Sequence, residues 1–102
     1  MKENLLKIIN HYGVNHQQRK FQEEVFELQE AILTKEIDYQ SSDTTVSMDK
    51  ANLEHITEEI ADVMVMLEQF RLYYDIPTEE IRKVMEYKVK RQIDRINQEN
   101  KE

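Results

Sequence analysis

Two pairs of carboxylates stand out for their spacing. Glu24 and Glu27 are three residues apart, and so are Glu59 and Asp62. On a helix that spacing puts both members of a pair on one side, about 60° apart around the axis. Each pair lies beside an apolar stripe: Phe21, Val25, Leu28 and Ile32 in the first case, Ile56, Ile60, Val63, Leu67 and Phe70 in the second. With the first acid of each pair at zero, each stripe is centred near +60 to +70° and the second acid near −60°. Acids at the edge of a core face lose water on folding, which is costly unless a cation or hydrogen-bond donors compensate. If the two faces pack antiparallel, the pairs point into one pocket. Four oxygen ligands there suit a hard cation, Mg²⁺ or Mn²⁺, better than copper, an iron–sulfur cluster or structural zinc.

In a chain with 34% charged residues, a single Glu-x-x-Glu says little. The weight comes from two pairs at the same offset from two core stripes. A di-iron bundle would use Glu-x-x-His, but Asn52 precedes His55 at that spacing, Gly13 precedes His16 and Ile8 precedes His11. His55 lies on the acidic side of its helix, one turn before Glu59, whereas His16 reads as a surface position. A third element is basic. Lys88, Arg91 and Arg95 recur at i, i+3 and i+7 beside an apolar face, and such groups could take the remaining charge of a metal-bound phosphate. A solvated basic face is the competing reading. There is no glycine-rich phosphate loop, nucleophile elbow or Cys–His pair.

The elements that must position these residues are helices. The chain has 102 residues, one glycine, one proline and no cysteine, which fits a single all-α domain over 1–102. Its core must be small, so a homo-oligomer is expected. A net charge of −7 disfavours nucleic acid and anionic membranes as partners. Without cysteines, a long apolar run or a secretory pattern at Met1-Lys2-Glu3, the expected location is the cytoplasm. Helical spacing predicts a short first helix over about 3–12, stopped at Gly13. A second runs from about 15 to 39 with Asn15 as candidate N-cap, and a third from about 50 to 74 with Ser47 or Asp49 as candidate cap. Residues 40–47 read as a loop. A fourth helix starts after Pro77 with Thr78 as its cap. Between Arg82 and Arg95 it carries six basic residues against Glu86 and Asp94.

Taken in order, Glu23-Glu24-x-x-Glu27-Leu28, Glu59-Ile60-Ala61-Asp62-Val63, Asp75-Ile76-Pro77-Thr78-Glu79-Glu80 and Lys88-x-x-Arg91 resemble the MazG-like all-α nucleoside triphosphate pyrophosphohydrolases. The resemblance covers roughly residues 17–95. It implies a helical bundle with two long antiparallel acidic helices, a short N-terminal helix and a basic C-terminal one. It also implies Mg²⁺-dependent hydrolysis of a nucleoside or deoxynucleoside triphosphate to monophosphate and pyrophosphate, in a homodimer or homotetramer with sites near subunit contacts. By position, Glu24, Glu27, Glu59 and Asp62 would be the metal ligands, and Glu23 and Glu24 would have catalytic roles. Glu23 points about 100° from Glu24 on the wheel, so it would act from outside the ligand set or toward a partner subunit. Gln17, Lys20, Lys88 and Arg91 would contact the nucleotide. An asparagine common before the family's basic pair is not evident; Glu86 stands near its place. Phosphoribosyl-ATP pyrophosphohydrolase is a near relative by motif, but the Tyr-His that commonly follows its second motif is replaced here by Val63-Met64-Val65-Met66. The reading from another class is a non-catalytic helical interaction module.

Overall fold

The structure is a computed structural model and describes residues 1–41 and 50–101; the side chains of residues 34–41 lie outside the description. It is all-α: α1 (Lys2–Tyr12), α2 (Val14–Ser41), α3 (Lys50–Tyr73) and α4 (Thr78–Asn100). The expected loop at 40–47 and the expected caps Ser47 and Asp49 fall largely or wholly outside the described residues, although α2 itself continues through Ser41.

The turns between helices differ in chemistry from what the sequence suggests. Gly13 does end α1, donating its N–H to the Ile9 carbonyl at 2.8 Å. Its φ of 89° is open to glycine at little cost. Its own carbonyl accepts from Gln17 N–H at 3.0 Å and so begins α2. Asn15 is therefore already inside the helix and not its cap. At the end of α3, Asp75 takes φ 55°. Its N–H donates to the Leu72 carbonyl at 3.1 Å, and Ile76 N–H reaches back to the Arg71 carbonyl at 3.0 Å. That is the Schellman arrangement, with aspartate in the position glycine usually holds. The Arg71 guanidinium ties the turn further by donating to the Ile76 carbonyl at 2.9 Å. Pro77, not Thr78, occupies the cap of α4, and no side chain makes a capping bond there. An extended proline (φ −64°, ψ 141°) with its carbonyl facing Glu80 N–H suffices to start the helix.

The packed unit is α1, α2 and α3, with α2 and α3 the most extensive pair. They run antiparallel: Gln17 meets Gln69 near one end, and Glu24 meets Glu59 further along. Phe21 and Phe70 meet edge to face beside the Gln17–Gln69 level, with ring centroids 5.6 Å apart. α1 closes one end of this pair with Leu5 and Ile9, both buried. Among the described residues the rest of the apolar core is Ala31 and Met66, and three polar residues are buried with them: Gln17, Glu24 and Gln69.

Both long helices pack on a face rotated from the expected one. The buried and half-buried positions of α2 include Gln17, Phe21, Glu24, Leu28 and Ala31; those of α3 include Ile56, Glu59, Val63, Met66 and Phe70. On the wheel these faces are centred about 20–30° from Glu24 and Glu59, not 60–70°. The acids thus sit near the middle of the contact. Ile32, Ile60 and Leu67, expected in the stripes, are left exposed. Every residue of α4 is exposed.

Candidate metal centre between α2 and α3

Antiparallel pairing brings Glu24, Glu27 and Glu59 together. One carboxylate oxygen of each lies within 4.8 Å of the others. Glu24 is 8% exposed, since it stands in the face that meets α3. Its Oε1 accepts an ion pair from Lys20 Nζ at 3.1 Å, one turn earlier on α2. Glu59 is half-buried, with His55 Nδ1 4.0 Å from its Oε1. Among the described residues, neither Glu24 Oε2 nor Glu59 Oε2 has a hydrogen-bond partner, although both are buried. Leaving such an oxygen unpaired costs about 1–3 kcal/mol, more if it is charged.

Electrostatics bear the same mark. The Glu27 carboxyl is pushed above its ordinary 4.5, first by the charge of Glu24, then by loss of water, then by the charge of Glu59. Lys20 opposes the shift. The Lys20 ammonium is itself raised, first by its hydrogen bond to Glu24 and then by that residue's charge. Among the described residues, three carboxylates share one ammonium as close counterion, which leaves the cluster short of positive charge.

The donor set fits a hard divalent cation. All three groups offer oxygens, and two of them hold a buried oxygen for which no described residue supplies a donor. Glu24, Glu27 and Glu59 are the residues that would hold it. Asp62, expected as the fourth ligand, does not join the cluster; it is exposed on α3. The rotation of the α3 face explains this. With Glu59 close to the centre of the contact, Asp62 falls about 80° from that centre.

The remaining site residues divide. Glu23 is exposed, 3.8 Å from Lys20 Nζ, and outside the cluster, as its wheel position implies. Gln17, expected at the nucleotide, is a core residue 4% exposed. Its Nε2 donates to Gln69 Oε1 at 2.8 Å, and its Oε1 accepts from His16 Nδ1 at 2.8 Å. Lys20 is at the cluster. Lys88 and Arg91 are not brought there within one chain, because α4 does not pack on α2. Among the described residues neither is in an ion pair; the Arg91 guanidinium lies 5.8 Å from the Tyr87 ring centre. Gln69 and Met66, which build the layer beside Gln17, carry no chemical signature in sequence. The signal that could have found them is the seven-residue recurrence of Ile56, Val63 and Phe70 interleaved with Glu59 and Met66, a sharper guide to the packed face than hydrophobicity.

No protein-family model, curated protein or solved structure matches the chain.

Proposed function

We propose that this chain is a Mg²⁺-dependent nucleotide pyrophosphohydrolase of the MazG-like kind, with Mn²⁺ as a possible substitute, cleaving a nucleoside or deoxynucleoside triphosphate to monophosphate and pyrophosphate. The observation that carries this reading is the pair of buried, unpartnered oxygens of Glu24 and Glu59 beside Glu27. A solvated acidic face would leave those oxygens in water. Bound there, Mg²⁺ supplies neutralisation of phosphate charge and orientation of the phosphate chain. Glu24, Glu27 and Glu59 hold it, and filling the site relieves the repulsion among them. Lys20 then has a second anion within reach, the phosphates. Glu23, exposed beside Lys20, and Glu24 keep the catalytic roles the resemblance implies: water attacks the α-phosphorus as pyrophosphate leaves, its proton passing to a carboxylate of the site.

The basic residues of α4 enter from a second copy of the chain. Exposure of α4 along its whole length, including Ile81, Met85, Val89 and Ile93, supports this assembly. So does a radius of gyration of 17.8 Å, against about 13 Å for a compact domain of this length. In a homodimer or homotetramer the apolar side of α4 is covered, and Lys88 and Arg91 stabilise the leaving pyrophosphate. No described helix is long and apolar enough to cross a membrane; we place the enzyme in the cytoplasm, where nucleotides are.

Pyrophosphate release measured over a panel of canonical and modified nucleotides, with and without Mg²⁺, tests the proposal. Release from at least one triphosphate, abolished by chelation, is expected. No release from any member of the panel at micromolar enzyme overturns it.

A further inference from the structure

At the elbow between α1 and α2, outside the acidic cluster, the Tyr12 ring stacks on the His16 imidazole. Their centroids are 4.9 Å apart and their planes 17° from parallel. His11 closes on Tyr12 edge to face at 4.7 Å. The stack is on the surface: Tyr12 is 54% exposed and His16 is exposed as well. It therefore adds little to the core, yet it is held firmly. Gly13 turns the chain so that the last residue of α1 meets the first turn of α2. The imidazole is pinned from behind, because Nδ1 donates to Gln17 Oε1, and Gln17 is anchored in turn on Gln69 of α3.

The position of the stack relative to the acids is fixed by α2, one unbroken helix from Val14 to Ser41. His16 and Lys20 lie within about 80° of Glu24, on the same side as Glu27. Glu24 stands eight residues beyond His16, about 12 Å along the axis, with Lys20 midway. Planar aromatic surface, ammonium and carboxylate cluster thus follow one another in a line. That order matches a nucleotide whose base, α-phosphate region and outer phosphates must be met in turn.

We infer that Tyr12 and His16 form the nucleobase platform of this site: the base extends their stack. The inference rests on the nucleotide reading above but not on hydrolysis. A pre-stacked pair with fixed rings loses little freedom when a base is added, which favours binding. The position also gives Gln17 its role. It is a positioning residue that orients the imidazole through its oxygen.

Calorimetric titration of the full chain with four nucleoside triphosphates and with inorganic triphosphate, in the presence of a divalent cation, tests this. At least one nucleotide should bind about 10-fold or more tightly than inorganic triphosphate, the scale of a single base–aromatic stack. Tyr12→Ala should remove that advantage while leaving inorganic triphosphate and Mn²⁺ binding unchanged, and Tyr12→Phe should retain it. His16→Ala should lose it as well. The platform is overturned if no nucleotide outbinds inorganic triphosphate in the wild type, or if the advantage survives in both alanine variants. An advantage that depends on Tyr12 without any pyrophosphate release keeps the platform and removes hydrolysis alone.

Discussion

The α2–α3 pair and α4, the more highly charged of the two, end in opposite situations. The pair spends its contact surface on polar groups. Gln17 binds Gln69, Glu24 faces Glu59, and Ile32, Ile60 and Leu67 stay in water. α4 has an apolar face and a basic face and buries neither. A fold driven only by apolar burial would turn α2 and α3 by roughly 40° and hide those leucine and isoleucine side chains. Acids near the middle of the contact, with two buried oxygens that no described residue supplies with a donor, are therefore a cost to the domain by itself. The open face of α4 is a different feature, apolar side chains left in solvent, which the proposed oligomer would cover. On the proposed reading, the first region is completed by a cation and the second by another copy of the chain.

The sharpest way to break this contrast is to remove a carboxylate. Glu24→Gln or Glu59→Gln should lower Mg²⁺-dependent turnover by well over about 10–100-fold, the loss seen when even groups that merely orient metal ligands are removed. In Mn²⁺ titrations the same variants should bind more weakly, while their apo melting temperature stays level or rises. A fall in apo stability with Mn²⁺ binding retained would show that the cluster is structural.

Substitutions in α4 should do the reverse. Lys88→Ala or Arg91→Ala should leave Mn²⁺ binding intact and stability within about 0.5 kcal/mol, as expected for exposed positions, yet reduce turnover or raise KM. Mixing Glu24→Gln chains with Lys88→Ala chains then tests the second copy. Hybrid oligomers should recover activity that neither parent has. If light scattering shows a stable monomer at micromolar concentration and that monomer is active, α4 acts within its own chain or not at all.

A smaller effect is expected at the buried amides. Gln17→Leu leaves the Gln69 amide without its partner and should cost about 1–3 kcal/mol in urea unfolding. Replacing both glutamines by leucine should restore much of that loss, since a matched apolar pair leaves no buried group unsatisfied. The coupling read from the double-mutant cycle measures the bond itself.

The smallest effect is the pH dependence of the cluster. Because the folded Glu27 carboxyl lies above its ordinary 4.5, the native state holds that proton more tightly than the unfolded chain. Its contribution to stability is fully present below 4.5 and is lost as pH rises through the raised folded value. Relative to Glu27→Gln, the apo wild type should therefore lose stability over that rise, as seen by thermal melts. Saturating Mg²⁺ should flatten the difference by supplying the missing positive charge. A difference unaffected by Mg²⁺ would separate the titration from the cation site.

Much of this protein is legible in its residues alone. Helical periodicity, one glycine and one proline locate four helices to within about two residues. The three-residue spacing of Glu24 and Glu27, repeated on the third helix, marks the acids, because spacing along a helix is a local property that survives any packing. Which of the acids meet is not local. It depends on how far α2 and α3 rotate about their own axes. A rotation of about 40° brings Glu59 inward, takes Asp62 out of the cluster, turns Gln17 from a surface contact into a buried amide and leaves Ile60 in solvent. Hydrophobicity could not foretell that rotation, since it weighs each helix separately, whereas the packed face is chosen by both helices and α1 together. The stack of Tyr12 on His16 lies still further from the sequence. The two rings are four positions apart, but they belong to different helices, and only the turn at Gly13 and the Gln17–Gln69 bond across the bundle bring them into register.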